Sequence, residues 1–131
     1  MLLILDNLQT SGVKFYLYKL QPWQKVAEKI YLSNDLLKNL TDFLAEKKIN
    51  FPEIQYFGIV EGKGSFTGIR NAANLANSFW LYFETRVFGL DVKDLQEKKL
   101  EKKIAQIFKK SLPAYSPKYS SYPKITQQKF S

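Results

Sequence analysis

Residues Gly62-Lys63-Gly64-Ser65-Phe66-Thr67-Gly68-Ile69-Arg70 hold the positions of this chain best suited to chemistry. They stand between a strand-like run, Ile54 to Val60, and a helix-like run that reaches about Glu84. Glycines leave backbone N–H groups uncovered and permit positive φ. A strand, a glycine turn and a helix N-terminus in that order make a place for an anion or for a close backbone approach. Two familiar phosphate-binding patterns fail on spacing. A P-loop, GxxxxGK[ST], needs glycine at position 57 and Ser or Thr at 64, where this chain has Phe57 and Gly64. The dinucleotide pattern GxGxxG fails too, because Gly62, Gly64 and Gly68 give GxGxxxG. A purely structural turn, in which glycines let strand and helix pack closely, is the other reading.

Other chemistries are narrowed by composition. The chain has 131 residues, enough for one domain with a real core, and contains neither cysteine nor histidine. Disulfides and thiol nucleophiles are therefore excluded, and the commonest general base and neutral metal ligand are missing. Two-metal catalysis needs clustered carboxylates. Asp6 ends the first apolar run, but Asp91 and Asp94 are its only plausible companions, and the pattern does not bring either to it. No catalytic residue, metal or cofactor is assigned.

The net charge of +8 is uneven: residues 1–90 carry ten Lys/Arg against eight Asp/Glu, and residues 91–131 carry ten Lys against four acids. That excess reads as contact with RNA or an acidic partner, with Lys98, Lys102, Lys109 and Lys110 as candidate RNA contacts, or as a solvated Lys-rich helix. The start, Met1 to Leu5, is apolar but lacks a basic region and is interrupted by Asp6, and no apolar run approaches bilayer length. A cytoplasmic protein with no membrane contact is expected.

The elements that must position these residues can be read along the chain. Leu2 to Asp6 reads as a buried strand. Val13 to Leu20 alternates, and Ser11-Gly12 makes the turn of a hairpin between them. A third strand is expected over Gln24 to Leu32, where Val26, Lys29, Ile30 and Tyr31 alternate poorly. Ser33 is the expected N-cap of a helix to Lys48, with Leu36, Leu37, Leu40, Phe43 and Leu44 at helical spacing. The helix over residues 67–84 carries Ile69, Ala72, Ala73, Ala76, Phe79, Trp80 and Phe83 on a wide stripe, with Leu75 and Tyr82 outside it. Such a helix needs cover on more than one side. Asn71, Asn74 and Asn77 form a polar edge.

Thr85 to Leu90 is a further strand, giving the order β-β-β-α-β-α-β: a meander followed by crossovers onto parallel strands. This α/β class, a mixed sheet with helices on its faces, has the ribonuclease H-like layout also found in actin-like ATPase domains. The organisation is a lobe over 1–90, a Lys-rich helix over 91–110 with Leu95, Leu100, Ile104, Ile107 and Phe108 as its seam, and a tail over 111–131. Pro113, Pro117 and Pro123, spaced among Tyr115, Tyr119 and Tyr122, make that tail extended, either free or docked on the domain surface.

GxGSFTGIR closely resembles GPGSFTGLR, the signature of the TsaB (YeaZ-type) family of non-catalytic partners in making the threonylcarbamoyladenosine modification of tRNA. Further likeness lies in Leu3-Ile4-Leu5-Asp6, where Asn7 replaces the family's usual Thr, in the strand Val87-Phe88-Gly89-Leu90, and in Tyr122-Pro123-Lys124-Ile125-Thr126. Lys63 stands where proline is usual, Glu61 precedes the first glycine, and the interval that holds a second actin-like half in the family holds only residues 91–110. The resemblance implies a TsaB N-terminal lobe. It marks Gly62, Gly64, Ser65, Phe66, Thr67, Gly68 and Arg70 as a phosphate-loop-like motif. It further implies that the two lobe helices, 33–48 and 67–84, pack on a second copy or on the catalytic paralogue TsaD, with tRNA engaged through the complex. Leu36, Leu40, Phe43, Ala72, Ala76, Phe79, Trp80 and Phe83 are the expected interface. The competing expectations are a homodimer without a TsaD partner and a basic RNA-binding module using the C-terminal lysines and tail tyrosines.

Overall fold

The computed structural model describes residues 1–8, 11–62 and 66–107, apart from the Phe66 side chain. Gly64, Ser65, Lys109, Lys110 and the tail at 111–131 lie outside the described residues.

Strand β1 (Leu2–Asn7) is buried at every position, because it lies in the middle of a sheet covered on both faces. The described residues place it between β2 (Val13–Leu20), antiparallel, and β4 (Tyr56–Val60), parallel. Strand β3 (Trp23–Tyr31) extends the antiparallel side and β5 (Arg86–Leu90) the parallel side, giving the order β3-β2-β1-β4-β5. Near-continuous apolar runs in β1 and β4 are what strands buried on both faces require.

Helices α1 (Leu36–Glu46) and α2 (Phe66–Phe83) cover one face. Leu3, Leu5, Phe15 and Leu17 from the sheet meet Leu40, Phe43, Ala72, Ala76 and Phe79 there. Phe79 is at the centre of an aromatic cluster, with ring centroids 5.2 Å from Phe51, 5.3 Å from Phe57 and 5.5 Å from Phe83. Helix α3 (Glu97–Ile107) covers the other face, where Leu100, Ile104 and Ile107 pack on Leu2, Ile4, Tyr56, Val60, Phe88 and Leu90. The helix expected to run from Asp91 is broken at its start. A single 3₁₀ turn (Val92–Leu95) precedes α3, and the Asp91 and Asp94 carboxylates close it by accepting from Lys93 N and Asp91 N.

Two local expectations are corrected. Ser33 does not cap α1. Asp35 does, its carboxylate accepting from Lys38 N at 3.2 Å. The poor alternation of β3 has a cause in its pairing: Leu17 faces Ala27 but Tyr18 faces Lys25, so Val26 is the extra residue of a bulge. On the α3 side of that ribbon, Glu28 accepts from Lys14 at 2.7 Å and from Lys25 at 2.9 Å. Those two hydrogen bonds hold the Glu28 carboxyl at about 2, well below its usual value.

Two outcomes are expected. Phe79→Ala removes the ring at the centre of the cluster and lowers stability by about 3–5 kcal/mol in denaturant titration. The Glu28 pairs favour the ionised carboxylate in the folded state, so their contribution is fully present above the ordinary carboxylate range and is lost as pH falls towards about 2. A carboxyl-detected NMR titration checks this, and Lys14→Met should move the Glu28 midpoint upward.

Candidate functional site

The C-terminal end of β1 opens into a cleft of about 190 Å³. Asn7 forms its floor, Ser11 and Gly12 come from the β1–β2 turn, Ser33 and Asn34 from the β3–α1 link, and Thr67, Gly68 and Asn71 from the first turns of α2. The segments are tied together by polar contacts. Asn7 Nδ2 donates to the Gly68 carbonyl at 3.5 Å, a long contact, and Gly12 N donates to Asn34 Oδ1 at 3.1 Å. Gly12 has a φ of +97°, and a Cβ there would meet the Tyr31 carbonyl oxygen, so the close approach of turn and strand end requires glycine.

Ser33 works from within this wall rather than as a cap. Its hydroxyl donates to Asn39 Oδ1 at 3.0 Å, and Asn39 Nδ2 donates back to the Ser33 carbonyl at 3.1 Å. Asn39 is buried, so this reciprocal pair fixes the β3–α1 link against α1.

Of the motif's described residues, only part faces the cleft. Thr67 and Gly68 line the cleft, while Gly62, with φ of +82°, and Arg70 do not. Positive φ is the whole demand at Gly62, because a Cβ there would meet nothing within 4 Å. Among the described residues the lining combines the amides and hydroxyls of Asn7, Ser11, Ser33, Asn34, Thr67 and Asn71 with the apolar Leu8, Val13 and Leu36, and no charged side chain is among them. Such a surface can hold hydrogen-bonding groups of a ligand, but it offers no acid or base that titrates near neutrality. Asn7, Asn34 and Asn71 were not singled out for this cleft from sequence. The available signal was the run of small polar residues at each turn on one end of the sheet.

Two of the three carboxylates weighed for metal chemistry, Asp91 and Asp94, are engaged elsewhere, and Asp6 is buried at the end of β1. Asp91 caps the 3₁₀ turn, and Asp94 accepts from Lys103 Nζ at 3.2 Å. Among the described residues no three His, Cys, Asp or Glu side chains gather where an ion could sit.

The second candidate surface is the outside of the helix layer. Of the residues expected there, Leu40, Phe43, Ala72, Ala76 and Phe79 are buried against the sheet, so they are core and offer nothing to a partner. Leu36 is half-buried and lines the cleft. Trp80 and Phe83 remain exposed. Three further residues stand out more: Leu37 at 56%, Leu81 at 64% and Tyr82 at 74% exposure. Sequence periodicity alone does not separate all three from the buried stripe. Phase singles out only Leu81, which lies nearly opposite Phe79; Leu37 shares a helical face with Leu40 and Leu44, and Tyr82 follows Phe79 by one turn, so their exposure comes from their places in the first turn of α1 and the last turn of α2. On α3, Lys98 and Lys102 are exposed, whereas Lys103 is paired.

The sheet order, the two crossovers and the position of the cleft define a ribonuclease H-like lobe of the actin-like ATPase kind. Two solved structures are similar to it. YeaZ from Pseudomonas aeruginosa matches with a TM-score of 0.57 at 20% identity, over 69% of this chain and 44% of that one. A crystal structure of an uncharacterized protein with similarity to peptidase YeaZ from Pseudomonas aeruginosa matches with a TM-score of 0.55 at 18% identity, over 70% of this chain and 44% of that one. At these identities the likeness speaks for the fold, and the chain spans less than half the length of either neighbour. The sequence matches no family model and no curated protein. Among the described residues no helix is long and apolar enough to cross a membrane.

Removal of the Asn39 side chain tests the wall of the cleft. Asn39→Ala leaves the Ser33 hydroxyl and carbonyl without their partner, and stability should fall by about 1–3 kcal/mol. In hydrogen exchange the Gly12 amide, held by the adjacent Asn34, should lose protection more than amides in the middle of β1.

Proposed function

We propose that this chain is a non-catalytic, TsaB-like partner protein in the threonylcarbamoyladenosine modification of tRNA, which binds and stabilises a TsaD-type subunit through α1 and α2. The observation that carries the reading is the apolar surface left on the outside of that helix pair. The sheet-facing stripe is satisfied by Leu40, Phe43, Ala76 and Phe79, yet Leu37, Trp80, Leu81 and Tyr82 remain exposed on the two helices. Apolar and aromatic groups of this kind form the centres of protein interfaces. Support comes also from the YeaZ-like fold and from the GxGSFTGIR resemblance. The absence of histidine and cysteine from the sequence, together with a cleft whose described lining carries no charged side chain, favours a binding role over a catalytic one.

A basic RNA-binding module is the second reading, favoured by the exposed Lys98 and Lys102 on the outer side of α3. The two place their contacts on opposite faces of the sheet, so paired variants separate them. Light scattering after size-exclusion chromatography should show the protein entering a mixed complex with its own organism's TsaD-type subunit. Leu81→Glu with Tyr82→Glu should abolish that complex while leaving the melting temperature within a few degrees of the parent. Lys98→Glu with Lys102→Glu should leave it intact. A homodimer that ignores the TsaD-type subunit would overturn the assignment. Salt-sensitive tRNA binding by the isolated chain, lost in the lysine variant, would move it to the RNA reading.

A further inference from the structure

A second apolar feature lies at the opposite end of the molecule from the cleft. The C-terminal end of α1, the 3₁₀ turn Phe51–Glu53 and the last turn of α2 enclose a groove of about 660 Å³. Leu44, Ala45, Ile49, Phe51, Pro52 and Phe83 line it. Its aromatic floor is rigid, because Phe51 and Phe83 both pack on the buried Phe79, with centroids at 5.2 and 5.5 Å. Aromatic grooves of this kind receive extended, proline-punctuated segments, whose ordering costs little conformational entropy.

The chain itself carries such a segment in its sequence beyond α3. The last described residue of α3 is Ile107, whose carbonyl accepts from Arg86 Nη1 at 3.0 Å. Arg86 opens β5 only three residues after Phe83, and its N–H is bonded to the Gln55 carbonyl at the lower edge of the sheet. The last turn of α3 and the groove therefore flank the same edge of the sheet, one on each face. Fully extended, twenty-four residues such as 108–131 would reach roughly 80 Å, enough to pass round that edge. Their sequence runs Leu112-Pro113-Ala114-Tyr115-Ser116-Pro117-Lys118-Tyr119, with Pro followed two residues later by Tyr, twice in succession.

We propose that residues 112–126 of this same chain dock in the groove between α1 and α2, with tail tyrosines against Phe51 and Phe83. The segment passes round the lower edge of the sheet beside Arg86, so the chain's own C-terminal part covers apolar surface that the three helices leave open. This is an intramolecular contact independent of any TsaD-type partner, whose expected contacts on α2 are Leu81 and Tyr82.

The absence of cysteine makes the test clean. A nitroxide attached to the full chain at Ser121→Cys should broaden the amide signals of Ala45, Lys48 and Phe83 in a ¹⁵N-labelled sample, and leave Asn7 and Asn71 at the far end sharp. Adding Ala45→Arg, an exposed position within the groove, should restore the broadened signals without lowering the melting temperature. Two results would overturn the proposal: no broadening at the groove, or broadening that appears only when spin-labelled, unlabelled-nitrogen chains are mixed with ¹⁵N chains, which would assign the groove to a second copy.

Discussion

Everything in this molecule follows from the placement of β1 as a strand with no exposed side. Its six residues are buried, so each backbone N–H and C=O must find a partner within the sheet. The pairing with β2 on one side and β4 on the other meets that demand. Because successive side chains alternate, Leu3 and Leu5 call for cover on one face while Leu2 and Ile4 call for it on the other. One face receives α1 and α2, the other α3. Parallel pairing of β1, β4 and β5 forces the connections to cross over, and both crossings between parallel strands return through helices on the same face. The cleft is a by-product of this arrangement. It lies where β1 ends and α2 begins, at the sheet edge where crossover loops leave the strand tips.

Much of this was legible in the residues. The apolar run Leu2 to Leu5 of β1, the alternation of β2 and the helical spacing of Leu40, Phe43 and Leu44 are local signals, and they point to the right elements. The misreadings arose where a distant residue decided between two local options. Ser33 has the chemistry of an N-cap, but Asn39 offers it a reciprocal pair and Asp35 stands closer to the helix start. Val26 could not be identified as a bulge without knowing which residue β2 sets opposite it. The break before α3 was hidden because Asp91 and Asp94 look like helix surface until their carboxylates are seen closing a separate turn.

The candidate interface shows the same limit more sharply. Periodicity identifies an apolar stripe but cannot say whether the sheet or a partner receives it. Five of the eight residues expected at a partner surface proved to be the stripe that faces the sheet, with Phe79 at 2% exposure. The exposed set had to be found by subtraction, from apolar residues that remained once the sheet had taken its share. A cleft of neutral amides is equally quiet in sequence, since Asn7, Asn34 and Asn71 stand far apart along the chain and belong to no common motif.

The apolar surplus at the end of α2 has a geometric origin. Eighteen residues of helix at about 1.5 Å each extend to roughly 27 Å. The five residues of β4 that precede it and the five of β5 that follow span only about 17 Å each. Helix α2 must start near the tip of β4, so its excess length projects past the opposite edge, and the sheet gives no cover there. Trp80, Leu81, Tyr82 and Phe83 occupy that last turn. Phe51, on the 3₁₀ turn below the sheet, shields Phe79 and one side of Phe83, and the rest of the turn stays open. A shorter helix would have connected the same two strands. The additional turn is therefore unexplained by the needs of the sheet, and its apolar composition runs against what solvent alone would favour. It is explained if that turn is built to be covered, on its groove side and on its outer side, by surfaces that the sheet does not supply.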